Sequence, residues 1–431
     1  MLEIKGKVEF NGEITVDSDK SISHRAVMFG AIAQGDTLVK NILLSEDVIS
    51  TIRCFKEMGT IFDLKDTTLK IMPQLTLKPP IGTLYTGNSG TTTRLLAGLL
   101  AAQPFESTLT GDESLNSRPM GRVIDPLQKM GAKIFAKEGK FCPLTIKPSD
   151  LKGITYSQEI ASAQQKSALL LAGLFAKGET IIIEKEKSRN HSEIMLKELG
   201  ADIQVDDKTI KIRSGATLKA KDIYVPNDIS SASFFIALTV LSKNSKLKIK
   251  NVGLNPTRTG FIDVLKKMGA DIKIEITNHE GEIYGDIIAK SSKLKGIVIE
   301  GDIIPRLIDE LPIISVCAAF AEGITEIKDA EELKVKESNR ITAMVNELKK
   351  GNINVCEQPD GMIIKGGEAK RSDFLSYGDH RIAMSMIIFS LLTEGKSSVY
   401  GDSCIAISSP NFIKTLAYLG LGQSIEKKGE K

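Results

Sequence analysis

An α/β protein of two similar domains, each built from three repeated units, is what this 431-residue chain predicts. Two internal repeats and the length carry that expectation. The first repeat is a set of six polar clusters, each opening an alanine-rich apolar helix signal, spaced roughly seventy residues apart. The second is a companion helix signal that ends on glycine in every unit. A period of about seventy exceeds the roughly 20–50 residues of a solenoid repeat. A single core stops growing at roughly 250–300 residues, so the chain divides into two domains of three units.

The clusters are Lys20–Arg25, Asn88–Arg94, Ser162–Ser167, Asp228–Ser231, Asp309–Pro312 and Asp379–Arg381. A helix start leaves unpaired N–H groups and a partial positive charge; Ser, Thr, Asp and Asn cap it, and added Lys or Arg makes it an anion site. The companion helices end at Gly59, Gly131, Gly200, Gly269, Gly351 and Gly420, where glycine suits a left-handed C-terminal cap. In the fifth copy Lys350 displaces the motif by one residue. Strand-like stretches follow at Ala132–Phe135, Ala201–Val205 and Ala270–Ile274, and a turn-to-strand mark recurs at Gly35–Val39, Gly178–Ile182, Gly323–Ile327 and Gly395–Val399.

An opening strand is expected over Val8–Val16, ahead of the first complete unit. Candidate crossovers lie at Asp17-Ser18-Asp19 and at Val225-Pro226-Asn227-Asp228, where proline disfavours helix in the residue before it. They give one domain over 16–228 and another from 1–15 with 229–431. A ligand site is expected in the cleft between them, with the paired crossovers as a hinge.

With 42% hydrophobic and 26% charged residues, there is apolar material for two cores; disorder is expected only in the tail after Gln423. Net charge +3, with no basic run interleaved with aromatics, does not indicate a nucleic-acid binder. Cys54, Cys142, Cys317, Cys356 and Cys404 are odd in number, far apart and without a C-x-x-C pair, which points to buried, inert thiols in a reducing cytosol. The N-terminus lacks the apolar stretch of a signal peptide. Leu311–Ala321 and Ile382–Leu392 are shorter than the roughly 20 residues that span a bilayer, and read as buried helices.

Lys20, Ser21 and Arg25 place two cations and a hydroxyl on one helix start, an arrangement that asks for an anion. Asn88–Arg94 is not a Walker A sequence, since no Gly-Lys-Ser/Thr ends it. Gly90 there serves either a tight turn or the approach of backbone N–H groups to a phosphate or carboxylate. Arg118-Pro119 is read as a helix start, its guanidinium suited to grip a carboxylate or phosphate. Asp309-Glu310 serves either as a helix cap or as a general base beside a substrate hydroxyl. Lys336–Arg340 reads as charge pairing within one helical turn, and Asp379-His380-Arg381 brings three ionisable groups to a buried helix. No His, Cys and carboxylate set has zinc spacing, and no dinucleotide fingerprint occurs.

Taken in order, Asp19-Lys20-Ser21-x-Ser23-His24-Arg25, Gly87-Asn88-x-Gly90-Thr91-x-x-Arg94, Arg118-Pro119, Ser162-Ala163-Gln164, Lys336-Glu337-Ser338-x-Arg340 and Asp379-His380-Arg381 resemble the 5-enolpyruvylshikimate-3-phosphate synthase family over nearly the whole chain. The resemblance implies two domains of three βαβαββ units each, an inside-out α/β barrel joined by two crossovers. It implies transfer of the enolpyruvyl group of phosphoenolpyruvate to the 5-hydroxyl of shikimate 3-phosphate, with release of phosphate, in the pathway to chorismate and aromatic amino acids. No metal or organic cofactor is implied. The expected setting is a cytoplasmic monomer without membrane or nucleic-acid partners.

By the same resemblance Lys20, Ser21, Arg25, Ser162, Ala163, Gln164, Arg189, Asp309 and Lys336 meet shikimate 3-phosphate. Lys20, Asn88, Gly90, Arg118, Gln164, Arg340, His380 and Arg381 meet phosphoenolpyruvate. Asp309 takes the hydroxyl proton, and Glu337 with Lys20 manages the proton gained and lost at C3. The chemistry suits these residue types: six helix starts supply at most about three charges at roughly half a charge each, so Lys and Arg must supply the rest.

Ile407 stands where many relatives have a lysine contacting phosphoenolpyruvate. Ser162-Ala163-Gln164, Arg189–Glu193 and Asn255–Arg258 resemble a second subclass, some of whose members tolerate glyphosate, an inhibitor of this family. Gly90, however, is not the alanine of strongly tolerant members. The related transferase acting on UDP-N-acetylglucosamine uses a loop cysteine shortly before an Arg-Pro; Asp112–Ser117 has none. A non-catalytic phosphoanion binder is the other alternative, and retention of both Asp309 and Glu337 speaks against it.

Overall fold

Six buried helices and six four-stranded sheets form the frame of the computed structural model, which describes residues 1–6 and 8–428. The helices are Lys20–Ile32, Gly90–Ala101, Ala163–Gly173, Ile229–Leu241, Leu311–Ala319 and His380–Leu392, the first to sixth buried helices below. Backbone contacts divide the chain into one unit of Met1–Asp17 with everything from Pro226 onward, and another of Ser18–Val225. Each has its own apolar core. The junctions fall after Asp17 and after Val225, close to the boundaries expected after 15 and after 228.

Every sheet joins a parallel edge strand to an antiparallel set. In the Ser18–Val225 unit the orders are Ile223–Tyr224, Thr37–Lys40, Thr68–Met72, Ile61–Lys65; then Leu84–Tyr85, Ser107–Thr110, Phe141–Lys147, Lys133–Lys137; then Thr155–Gln158, Glu179–Glu184, Thr209–Arg213, Asp202–Asp206. Ile223–Tyr224 thus closes the set by pairing in parallel with Thr37–Lys40 of the first sheet just before the chain leaves the unit. The other unit repeats the scheme with two strands from the N-terminus. The strand expected over Val8–Val16 is the shorter Asn11–Ile14, and a further strand ahead of it, Leu2–Lys5, lies in a different sheet. Between them the chain passes so close to Thr393 that a Cβ on Gly6 would lie 1.6 Å from its carbonyl oxygen.

The helices lie inside and the sheets outside. Leu95, Leu96, Leu99 and Leu100 are fully buried, and each contributes about 1.5–3 kcal/mol by leaving water. The second and third helices approach so closely that a Cβ on Gly98 would meet the Ala168 carbonyl oxygen at 2.1 Å. Strands such as Ile61–Lys65 keep a largely exposed face.

Of the companion-helix glycines, Gly59, Gly131, Gly200, Gly269 and Gly420 have φ between 83° and 103°. The fifth copy departs: Gly351 has φ −73°, and Asn352 takes the left-handed position at φ 65°. Packing explains why glycine stays there, since an added Cβ would lie 2.5 Å from the buried Phe389 ring. Gly351→Ala is therefore expected to cost about 1–3 kcal/mol by overpacking, read as a lower urea midpoint; an unchanged midpoint would show that the ring yields.

Two further expectations need correction. Ile425–Lys427 of the tail forms an edge strand on Leu2–Ile4, and Lys428 pairs with Glu3 at 2.8 Å; the rest of that tail, from Gly429, lies outside the described residues. Cys54, Cys142, Cys317 and Cys404 are buried, and burial pushes the thiols of Cys54, Cys142 and Cys404 up to about 12, 11 and 11. Cys356 is exposed, because the two-residue alternation of its strand turns Val355 inward. No helix among the described residues is long and apolar enough to cross a membrane.

Candidate active site

Five of the six buried helices begin on a side-chain cap. Asp19, Ser89, Ser162, Asp228 and Asp379 accept from the backbone N–H of Ile22, Thr92, Gln165, Ser230 and Arg381. Lys20 and Ser21 are consequently the first helical residues and not the cap. Glu310 occupies the cap position of the fifth helix without capping it. Its carboxylate instead accepts from the Ser230 hydroxyl.

Side chains tie the three starts of the Ser18–Val225 unit together. Arg25 is buried; Nη1 donates to the Ser21 carbonyl at 2.9 Å, Nη2 to Ser167 Oγ at 2.7 Å and Nε to Ser192 Oγ at 2.7 Å. The first helix is thereby joined to the third and to the start of His191–Glu198. Arg94 Nη1 donates to Gln164 Oε1 at 2.9 Å, and Gln164 Nε2 to Thr91 Oγ1 at 3.1 Å, joining the second start to the third. Lys20 pairs with Asp47 at 3.0 Å.

Arg118 does not open a helix. It sits between the short helix Glu113–Asn116 and the helix Gly121–Lys129, because Asp112 caps the former and Met120 begins the latter. Its guanidinium grips Asn88 Oδ1 and the Asn88 carbonyl, and donates to Ser114 Oγ at 3.2 Å. Asn88 Nδ2 in turn donates to Asp112 at 2.8 Å. Gly90 is the first residue of the second helix, and a Cβ there would lie 2.7 Å from Arg94 Nη1, so the glycine leaves that guanidinium its place. Arg189 is half-buried beside Ser188, whose backbone N–H donates to Glu184 Oε1 at 3.0 Å.

Carboxylates dominate the corresponding end of the other unit. Lys336–Asn339 is not helical: Asn339 is the cap and Arg340 the first helical residue. Arg340 is fully buried; Nε donates to Asp379 at 2.8 Å, Nη2 to Glu337 at 2.6 Å and Nη1 to Asp309 at 3.3 Å. Burial works to lower the pKa of this guanidinium, yet Asp379, Glu337 and Asp309 hold it above the ordinary value. Asp379 is held below the ordinary carboxylate value: burial works against that, and Arg340 overrides it. Asp309 also lies 3.7 Å from Lys336 and 3.8 Å from Arg381, and its carbonyl accepts from Arg381 Nη1 at 2.9 Å. Arg381 reaches Glu310 at 3.7 Å, while buried His380 opens the sixth helix. Ser230, Glu310, Asp309 and Arg381 thus link the fourth, fifth and sixth starts.

Ile407 ends the short 3₁₀ helix Asp402–Ile407 and packs partly buried on the core, so the position carries no charge toward an anion. Sequence reading missed Asp47, Asp112, Glu310 and the hydroxyls of Ser167 and Ser192 as partners. Glu310, Ser167 and Ser192 lay inside motifs already singled out; nothing local marked Asp47 as the partner of Lys20.

The enolpyruvyl transferase NikO from Streptomyces tendae shares this fold, with a TM-score of 0.79 over 100% of this chain and 99% of that chain at 16% identity. Three sheets around three buried helices in each unit, with cations and carboxylates gathered at the helix starts, are the frame of the enolpyruvyl transferase fold. The family model EPSP synthase (3-phosphoshikimate 1-carboxyvinyltransferase) matches residues 4–416. Among curated relatives, 3-phosphoshikimate 1-carboxyvinyltransferase of Thermoanaerobacter sp. (strain X514) is 52% identical, covering 97% of this chain and 100% of that protein. That of Bacillus cytotoxicus is 48% identical at the same coverage. EPSP synthase from Acinetobacter baumannii superposes with a TM-score of 0.88 at 42% identity, covering 99% of each chain. The chain belongs to the EPSP synthase family.

Proposed function

We infer that the chain transfers the enolpyruvyl group of phosphoenolpyruvate to the 5-hydroxyl of shikimate 3-phosphate. The observation that carries the reading is Asp309 among Arg340, Lys336 and Arg381: a proton acceptor set among cations suited to anionic substrates. Shikimate 3-phosphate is assigned to Lys20, Ser21, Arg25, Ser162, Ala163, Gln164, Arg189, Asp309 and Lys336. Phosphoenolpyruvate is assigned to Lys20, Asn88, Gly90, Arg118, Gln164, Arg340, His380 and Arg381.

The 5-hydroxyl oxygen attacks C2 of phosphoenolpyruvate as its proton passes to Asp309, while C3 gains a proton. The resulting tetrahedral intermediate loses a C3 proton and expels phosphate. Glu337 with Lys20 handles the C3 proton in both directions. Arg340 keeps Glu337 and Asp309 in place through one guanidinium, so base and acid are positioned together.

Incubating the purified protein with both substrates and following phosphate release tests the reading, with UDP-N-acetylglucosamine in parallel as the rival acceptor. Release with shikimate 3-phosphate alone is expected; none, or release only with the nucleotide sugar, overturns it. Arg118→Ala is expected to raise the KM for phosphoenolpyruvate about ten- to a hundredfold, the loss of charge-assisted hydrogen bonds. Unaltered KM and turnover would remove Arg118 from the site.

A further inference from the structure

One ionic cluster stands apart from every residue assigned so far. Lys166 lies in the first turn of the third buried helix with its side chain 1% exposed; its Nζ is 3.0 Å from Glu184 Oε1 and 2.6 Å from Glu193 Oε1. Both carboxylates are equally enclosed, at 3% and 4%. Glu184 ends the strand Glu179–Glu184, and Glu193 lies in the first turn of His191–Glu198. One ammonium thus joins a strand end to two helix starts. Burying three charges is costly, and well-packed apolar residues of like volume often stabilise a fold as well or better. What the ions supply that apolar contacts do not is a defined relative placement of the elements carrying them.

Those elements carry residues assigned to shikimate 3-phosphate. Glu184 accepts from both the backbone N–H and the hydroxyl of Ser188, fixing the residue before Arg189. Next to the Lys166–Glu193 pair runs a second rung between the same two helices, Ser167 to Ser192 at 2.6 Å. Both hydroxyls of that rung accept from Arg25. A shift of His191–Glu198 against the third helix would displace Arg25's two acceptors and Arg189's anchor together. The ends that approach phosphoenolpyruvate, Asn88 and Arg118, are held separately by Asp112 and Ser114.

We propose that Lys166, Glu184 and Glu193 are positioning residues that hold Arg25 and Arg189 in register for the phosphorylated acceptor, so that the triad sets affinity for shikimate 3-phosphate and not the chemical step. The proposal rests on the assignment of Arg25 and Arg189 to that substrate. Glu193→Gln keeps the side chain's shape and leaves the Lys166–Glu184 pair intact. In the full-length enzyme it should raise the KM for shikimate 3-phosphate about tenfold or more, with kcat and the KM for phosphoenolpyruvate within about threefold of wild type. Lys166→Met should act in the same direction, and Lys166→Arg should restore most of the loss. Ile210→Ala, a core truncation in the same unit, should lower the melting temperature without this selective rise.

An unchanged KM for shikimate 3-phosphate in folded Glu193→Gln, or an equal rise for both substrates, overturns the proposal. So does an equal selective rise in Ile210→Ala. A Glu193→Gln protein that does not fold assigns the triad to stability alone and also overturns it. If the wild-type enzyme itself releases no phosphate, it is the assigned function that fails.

Discussion

Asp309→Asn is expected to lower turnover by about two to four orders of magnitude, the span a positioned general base contributes. The substitution keeps the shape and removes the acceptor of the hydroxyl proton. It also removes a negative charge beside Arg340, Lys336 and Arg381, which eases anion binding, so the KM for phosphoenolpyruvate should hold or fall. Arg340 keeps Asp379 and Glu337 as partners, so the local structure is expected to survive. Steady-state phosphate release with each substrate varied in turn is the measurement. A kcat within about threefold of wild type would take the base role from Asp309.

The second large effect concerns stability. Asp379 is fully buried, caps the sixth helix and meets Arg340 at 2.8 Å, so Asp379→Asn breaks a buried ion pair while keeping a residue that caps well. Removing one partner of such a pair costs about 3–5 kcal/mol; with Glu337 and Asp309 still on Arg340, the lower end is expected. Its pH dependence has a definite sign. Against the effect of burial, Arg340 holds the Asp379 pKa below its ordinary value of 3.8 in the folded chain, so the stabilisation is present above that value and is lost as pH falls through the native one. Urea unfolding of wild type and variant should therefore differ at neutral pH and converge in acid. Equal midpoints at neutral pH, or a gap that persists below the native pKa, would refute the account.

Much of the frame was legible because its signals are local. A cap bonds within three residues, and the left-handed residue ending each companion helix declares itself as glycine or asparagine. Even the blurred fifth copy was visible as a shift of one residue at Lys350, although only the Phe389 ring beside Gly351 explains why glycine persists there. The resemblance to EPSP synthases rested on the same short motifs, because they sit at the helix starts. Arg118 and the Lys336–Asn339 segment were misplaced for the converse reason. Charged residues next to a helix look helical in sequence, and only the neighbouring caps at Asp112, Met120 and Asn339 show that the chain is still turning.

By itself the sequence determined that this protein repeats an α/β unit six times in two groups and places cations, hydroxyls and carboxylates at the starts of its buried helices. It also determined the family, through motifs short enough to read without coordinates. The tertiary structure decided which charge answers which: Lys20 to Asp47, Asn88 to Asp112, Lys166 to Glu184 and Glu193, and Arg340 to Asp309, Glu337 and Asp379. Most of these partners are 18 or more residues apart in the chain, and Coulomb attraction and desolvation depend on distance and burial in space. No pattern of neighbours along the chain encodes those quantities.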